Sequence, residues 1–189
     1  MQTQAACQHI LDELDRRLSP ALTYHTSGHT RDVVEQADRI ARSEGITDAG
    51  SLALLKTAAC FHDAGFIHAY DDHEEESCRI AMALLPQFAY SPEQIEVICQ
   101  LIRATRLPQS PTCLLGEILC DADLDYLGRE DYFAVSQTLL AEWLAYGRLS
   151  DPERWPAIQR SFLQNHRYFT RSSQQLREPR KQQALAGIP

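Results

Sequence analysis

The stretch SLALLKTAACFHDAG, residues 51–65, is apolar around nearly its whole circumference when it is drawn as a helix. A helix that is apolar all round is typical of the centre of a domain rather than of its surface. His62 and Asp63 fall in its last turn, so an imidazole and a carboxylate end the most hydrophobic segment of the chain. This stretch therefore predicts a helical fold organised around residues 51–65.

Apolar residues recur at a helical period on both sides of this segment. The pattern predicts further helices at about 6–18, 29–45, 72–85, 92–105, 111–128, 131–146 and 152–169. Ser91 and Gln94 with the intervening proline predict a helix start, and Asp72 with Glu75 predicts a capping box. No stretch alternates at the period of a strand. The predicted fold class is all-α, a single helical bundle.

The length of 189 residues suits one domain with a sizeable core. We expect a motif-bearing core at about 20–130 and further helices at about 131–170. The polar end of the chain, at about 171–189, is expected to be a loosely held tail.

The charge balance excludes some partners. The chain has 18 lysine and arginine residues against 26 aspartate and glutamate residues, a formal net charge of -8. Duplex nucleic acid usually requires a broad basic face, so it is not an expected partner. No apolar run approaches the roughly 20 residues of a membrane span. We expect a cytoplasmic protein without a membrane partner, as a monomer or a homodimer.

Six cysteines are scattered through the chain, and none forms a C-x-x-C pair. Free cysteine is among the most buried residue types, so we expect these to be reduced thiols of the core.

Asp63 is the first anomaly in this pattern. Burying an unpaired carboxylate costs several kcal/mol. The partial negative charge of a helix C-terminus adds a repulsion of roughly 0.3–1 kcal/mol. Few basic residues are near in sequence, so a bound cation is the simplest compensation. Asp123 repeats the anomaly beside apolar residues, whereas Asp121 and Asp125 are expected on solvated faces.

Three segments that are distant in sequence thus place ligating groups where a core is expected. Together they offer two nitrogen and two oxygen ligands, namely His29, His62, Asp63 and Asp123. Such a mixed set suits a divalent transition metal such as Mn, Fe, Co, Ni or Zn. Magnesium and a second ion are further options.

The order H … HD … D and its flanks resemble the HD-domain superfamily of metal-dependent phosphohydrolases, over about residues 20–130. YHTSGHT (24–30) is similar to the opening motif of that superfamily, AACFHDAGF (58–66) to its central helix and DADLDYLG (121–128) to its closing motif. HEEES (73–77) resembles a stretch of uncharacterised bacterial members.

The resemblance implies a helical bundle that holds a metal through His29, His62, Asp63 and Asp123. It also implies hydrolysis of a phosphoester of a small molecule, often a nucleotide, by attack of a metal-activated water. Asp63 would then orient the water as well as bind the metal.

Further site residues are predicted around these ligands. We predict that His73 and Glu74 act in catalysis, with Glu74 as general base or as ligand of a second ion. The alternative for both is an acidic first turn stabilised by the helix dipole. Residues predicted to bind the substrate are His25, Arg79 and Arg103. The alternative for His25 is a capping role in a loop, and for Arg103 a favourable place near a helix end.

Two other functions stay open beside hydrolysis. One is a non-catalytic ligand-sensing module that keeps the metal for structure. The other is a di-iron oxygenase on the same scaffold, which would require two ions and ligation by His73 or Glu74. The complete ligand set favours catalysis. The motifs of the better-understood subfamilies, which cleave cyclic nucleotides, cyclic di-nucleotides or alarmones, do not fit this chain, so their substrates are not transferred.

Overall fold

A computed structural model describes residues 1–189 and contains nine α-helices and no strand, which confirms the all-α fold class. The helices are α1 (Thr3–Arg17), α2 (Ser27–Ser43), α3 (Ala49–Phe61), α4 (His73–Leu84), α5 (Pro92–Ala104), α6 (Leu114–Asp123), α7 (Tyr132–Ala145), α8 (Trp155–Asn165) and α9 (Arg171–Gly187). Short 3-10 helices occupy Ala64–Ile67, Leu85–Phe88, Asp125–Gly128 and Pro152–Arg154. None of the helices combines the length and apolar character needed to cross a bilayer.

Helix α3 lies at the centre of the bundle, as its apolar circumference predicts. It packs against α1, α2, α5 and α6. Leu55, Ala58 and Phe61 are at most 1% exposed, and each large apolar side chain buried in this way stabilises the fold by about 2 kcal/mol. The helix ends at Phe61, which leaves His62 at its C-cap. The core therefore fixes the position of the His-Asp pair.

Of the two helix starts predicted from sequence, one has the predicted capping bonds and one does not. Ser91 Oγ accepts a hydrogen bond from the backbone N–H of Gln94 at 3.4 Å, and Gln94 Oε1 accepts one from the backbone N–H of Ser91 at 3.0 Å. The capping box predicted at Asp72 is wrong. Asp72 has a left-handed backbone with φ 53° and no capping bond, and its carboxylate binds Arg106 instead.

The C-terminal residues are not a loose tail, because α9 packs against α2, α8 and the 3-10 helix at Asp125–Gly128. The buried Asp125 Oδ1 accepts hydrogen bonds from Arg39 Nη2 at 2.7 Å and from Arg177 Nε at 2.9 Å. A Cβ atom at Gly128 would lie 2.4 Å from the carbonyl oxygen of Arg177. Polar contacts and one close backbone approach thus hold α9, and a hydropathy pattern does not reveal either.

The prediction that Asp121 and Asp125 are solvated is also wrong, since both are fully buried. Asp121 accepts hydrogen bonds from the backbone N–H groups of Phe169 and Thr170, both at 2.8 Å. Burial raises the pKa of Asp121, although these bonds oppose the rise. The two acids that flank Asp123 therefore tie the C-terminal segment to the bundle.

Five of the six cysteines are buried and unpaired, in agreement with the expectation of core thiols. Cys113 is the exception, because it is exposed at the residue that precedes α6.

Candidate metal centre and its cavity

The four ligands predicted from sequence converge between α2, the end of α3 and the end of α6. His29 Nε2 lies 3.2 Å from Asp123 Oδ1 and 3.5 Å from Asp63 Oδ2. His62 Nε2 lies 3.2 Å from Asp63 Oδ2 and 3.5 Å from Asp123 Oδ1. Two ligand atoms that are each about 2.1 Å from one ion are separated by roughly 3.0–3.4 Å. His29, His62 and Asp123 offer ligand atoms that all lie within 4.8 Å of one another, and Asp63 lies beside both histidines. This cluster supports a site for a divalent ion.

Two buried atoms of this set have no hydrogen-bond partner, namely His62 Nε2 and Asp63 Oδ2. The other ring nitrogen of His62, Nδ1, lies 2.8 Å from the carbonyl oxygen of Ala59 and donates to it. In the neutral imidazole this bond places the proton on Nδ1 and the lone pair on Nε2, which is the tautomer that a metal-binding histidine requires. Buried polar atoms are rarely left without a partner, so these two orphaned atoms support a metal site.

The acids and the histidines at this centre shift one another's pKa values. Burial would raise the pKa of Asp63, but the imidazole of His62 outweighs burial and lowers it well below its usual range. Burial would also raise the pKa of Asp123, but the hydrogen bond from His29 and the charge of His62 lower it to about 2. Burial would lower the pKa of His62, yet the charge of Asp63 raises it well above its usual range. The carboxylates are therefore ionised, which is the form that binds metal.

A glycine places α4 against this centre. The backbone N–H of Gly65 donates to Ser77 Oγ at 2.8 Å, and Ser77 Oγ donates to the carbonyl oxygen of His62 at 2.7 Å. A Cβ atom at Gly65 would lie 2.0 Å from the carbonyl oxygen of His73. Only glycine allows this approach, which brings the first turn of α4 beside the His-Asp pair.

His73 and Glu74, predicted to act in catalysis, both reach the site. His73 Nε2 lies 3.6 Å from Asp63 Oδ1 and 3.5 Å from Glu74 Oε1. The Glu74 side chain is buried, and both residues line the cavity described next.

A cavity of about 630 Å³ opens above Asp63 and Asp123. This volume is within the usual range for small-molecule sites. The side that faces α7 and α8 is formed mainly by apolar side chains, Leu139, Trp143, Ile158 and Phe162. Tyr24, Phe66, Tyr70 and Tyr126 also line the cavity, and the Tyr24 ring lies 4.8 Å from the ring of His29, centroid to centroid. The candidate metal centre therefore adjoins a cavity with space for a molecule that has a large apolar or aromatic part.

His25, predicted to bind the substrate, lines this cavity. Its ring stacks on Phe66 with centroids 4.2 Å apart. Its Nδ1 lies 2.5 Å from Oε1 of the fully buried Glu142. Glu142 is an acceptor only, so Nδ1 carries the proton of this bond and Nε2 is left for the cavity.

The prediction that Arg79 and Arg103 bind the substrate is not supported by the structure, because neither side chain lines the cavity. Arg103 forms a two-bond ion pair with Glu75, with Nε 2.7 Å and Nη2 3.1 Å from its carboxylate oxygens. Arg79 binds Glu76 across one turn of α4, at the surface. Both arginines are thus committed to acids outside the site.

Two other arginines take the place at the rim. Arg106 binds Asp72 and Arg148 binds Asp71, and all four side chains line the cavity. Arg148 also lies over the ring of Tyr70, 4.7 Å from its centroid. Arg148 belongs to no recognisable motif, so its position at the cavity could not be predicted from the sequence.

Glu142 and Gln159 were also missed, since each sits in a helix whose pattern indicates only packing. The basic segment 166–181 does not reach the cavity. Arg177 binds Asp125, and the buried Lys181 donates to the carbonyl oxygen of His166 at 2.7 Å.

Comparison with known proteins agrees with the family predicted from the sequence motifs. The HD domain family profile matches residues 26–125, which is more than half of the chain. A solved structure described as a predicted HD superfamily hydrolase, from an uncultured Thermotogales bacterium, has 24% sequence identity and a TM-score of 0.63. The alignment covers 97% of this chain and 87% of that chain. At this identity the likeness shows the fold alone. No curated protein matches the chain. The chain belongs to the HD-domain superfamily of metal-dependent hydrolases.

Proposed function

We propose that this HD-domain protein is a metal-dependent phosphohydrolase that cleaves a phosphoester of a small molecule. The observation that carries the proposal is that Asp63 and Asp123 each lie 3.2–3.5 Å from both histidine nitrogens and also line a cavity of about 630 Å³. A structural metal is usually enclosed by its ligands, whereas a catalytic one keeps an open side.

The chemistry divides between the metal and the surrounding side chains. A bound divalent ion, Mn, Fe, Co, Ni, Zn or Mg, supplies Lewis acidity and lowers the pKa of a coordinated water. Asp63 orients the nucleophile through its second oxygen, which faces His73. Glu74 accepts the proton as general base.

His25 acts on the leaving group in this proposal. Its Nδ1–H is held by Glu142, so the imidazolium form of His25 has its second proton on Nε2 and can give that proton to the departing oxygen. A positioned acid of this kind contributes about 10²–10⁴ in rate.

A nucleotide is the proposed substrate, since the cavity holds aromatic rings beside the ligand set. Cytoplasmic location and a monomeric or homodimeric state stay predictions. A second ion has candidate ligands in His73 and Glu74, whose side chains lie 3.5 Å apart. That arrangement is the observation in favour of di-metal chemistry, and iron-loaded protein with an oxygen-dependent absorption band would favour it over hydrolysis.

Phosphate release tests the proposal. Protein stripped of metal is re-loaded with Mn, Co, Ni, Mg or Zn and given a panel of nucleotides and other phosphomonoesters. Asp63→Ala runs in parallel, and Glu75→Ala is the matched acidic control outside the cavity. Turnover that requires both the metal and Asp63 supports a phosphohydrolase. Tight metal binding with no turnover on any substrate would favour the sensing module instead.

A further inference from the structure

The side of the cavity built by α7 and α8 contains one side-chain amide. Its other lining residues are Leu139, Trp143, Ile158 and Phe162, which are apolar except for one indole N–H. Gln159 is 5% exposed and lines the same wall. A buried amide on an apolar wall is costly unless its groups have partners.

The oxygen of this amide has hydrogen-bond partners within the protein. Gln159 Oε1 accepts a hydrogen bond from the Tyr132 hydroxyl at 2.6 Å and one from Ser136 Oγ at 3.1 Å. Ser136 Oγ in turn accepts from Trp155 Nε1 at 3.1 Å. An indole nitrogen can only donate, so it occupies a lone pair of Ser136 and leaves the serine proton for Gln159.

These three side chains therefore fix which end of the amide faces the cavity. Oε1 is held by two donors, so Nε2 carries the only uncommitted polar hydrogens of Gln159, and it makes no bond within the protein. An N–H group that has no partner in the protein and faces a ligand cavity selects for a ligand that brings an acceptor.

We propose that Gln159 is a specificity-determining residue, whose Nε2–H recognises a carbonyl oxygen or ring nitrogen on an aromatic group of the substrate. This inference rests on the proposed function and narrows its substrate class. The substrate is a phosphoester whose leaving group carries a heteroaromatic ring with an exposed acceptor. The aromatic and apolar side chains of the cavity pack against the faces of this ring. The Gln159 amide donates a hydrogen bond to an acceptor on one edge of the ring.

Two probes separate edge recognition from simple burial. Inosine monophosphate carries a ring with carbonyl and nitrogen acceptors, whereas naphthyl phosphate offers a ring of similar area with none. The variants are Gln159→Leu, which removes the amide, and Gln159→Glu, which keeps an acceptor for Tyr132 and Ser136 but turns an oxygen toward the ligand. Gln164→Leu and Gln164→Glu are matched controls at an exposed position of the same helix.

We expect both Gln159 variants to lower kcat/KM for inosine monophosphate by roughly 10–100-fold, mainly through KM. Their turnover of naphthyl phosphate should change by less than about threefold, and the Gln164 variants should match the wild type. An unchanged ratio of the two substrates in Gln159→Glu would overturn the inference while leaving the phosphohydrolase intact.

Calorimetric binding of inosine, which has no phosphate to hydrolyse, gives an answer that does not depend on activity. Binding to the wild type that weakens at least tenfold in both Gln159 variants supports the subsite even if no phosphoester is turned over. Absence of inosine binding to the wild type, or equal binding by wild type and Gln159→Glu, contradicts it.

Discussion

Glu142 and His25 are 117 residues apart in sequence, yet Oε1 of Glu142 lies 2.5 Å from Nδ1 of His25. The other carboxylate oxygen accepts hydrogen bonds from the backbone N–H groups of Tyr24 and His25, at 2.9 and 3.0 Å. Burial would raise the pKa of Glu142, but the hydrogen bond from His25 leads the opposing contributions and lowers it. A buried and ionised carboxylate thus fixes the orientation of a cavity histidine.

Replacement Glu142→Gln tests this relationship. An amide offers one acceptor oxygen where the carboxylate offers two, so the His25 ring loses its fixed orientation. We expect kcat/KM for the best phosphoester to fall by about 100-fold, with metal content unchanged because no ligand is altered. Steady-state kinetics together with metal analysis by mass spectrometry measure both quantities.

Tyr70→Phe is the control for this variant. The Tyr70 hydroxyl donates to the same oxygen of Glu142 at 2.9 Å, but it does not hold the histidine. The loss in kcat/KM should stay below about tenfold. An equal loss in both variants would mean that Glu142 acts by general packing and not through His25.

Metal binding should depend on Asp63 and not on Glu75. Asp63 Oδ2 is buried without a hydrogen-bond partner and lies near both histidine ligands, whereas Glu75 is committed to Arg103. Asp63→Ala is therefore expected to purify with less than a tenth of the wild-type metal content, and Glu75→Ala with the full content. Equal metal content in wild type and Asp63→Ala would refute the site assignment.

Metal removal should also destabilise the fold, because a preformed site binds the ion only in the folded state. An ion present at about 100 times its Kd stabilises by about 2.7 kcal/mol. For a domain of this size that corresponds to a rise in Tm of roughly 5–10 °C. Scanning calorimetry with and without a chelator measures the shift, and Asp63→Ala should show none.

The candidate site was predictable from the sequence where polar, ligating residues interrupt an apolar segment. His62 and Asp63 follow the apolar helix α3 directly, so their polarity indicated a site, and the order of His29, the His-Asp pair and Asp123 along the chain extended it. Eight of the nine helices were predictable from their apolar period. The centre of the bundle was predictable because a segment that is apolar all round has only one place in a fold.

Other parts depend on tertiary contacts that leave no local trace. Glu142 lies in a helix whose sequence pattern indicates only ordinary packing. Its bond to His25 depends on the packing of α7 against the loop before α2. Gln159 acquires its orientation from Tyr132 and Ser136 on a different helix. Helix α9 has a polar sequence, and it is ordered by the buried Asp125.

Gly128→Ala tests how α9 is docked. The added Cβ atom would lie 2.4 Å from the carbonyl oxygen of Arg177 and 2.6 Å from its Cβ. Backbone cannot yield as a flexible side chain does, so we expect a loss of about 2–4 kcal/mol in the free energy of unfolding. Gly187→Ala is the control, since its nearest neighbour is Cζ of the exposed Phe133 ring at 3.3 Å. Equal unfolding midpoints in urea would show that α9 is not packed against Gly128.

His166 should make the fold sensitive to acid. Burial, aided by the charge of Lys181, lowers the pKa of His166 to about 4, and its Nε2 is buried without a partner. The folded state therefore binds fewer protons than the unfolded state between about pH 4 and 6.5. The stabilisation is complete above the unfolded pKa and is lost as the pH falls toward the folded pKa. From pH 7 to pH 5 the group removes about 2 kcal/mol of the free energy of unfolding.

Replacement His166→Gln isolates this contribution from the titration of the carboxylates. The difference in unfolding free energy between variant and wild type, measured in urea, should move by about 2 kcal/mol in favour of the variant between pH 7 and pH 5. His9→Gln replaces an exposed histidine and should show no such movement. A difference that is the same at both pH values would mean that His166 is protonated in the folded protein, with its positive charge accommodated beside Lys181.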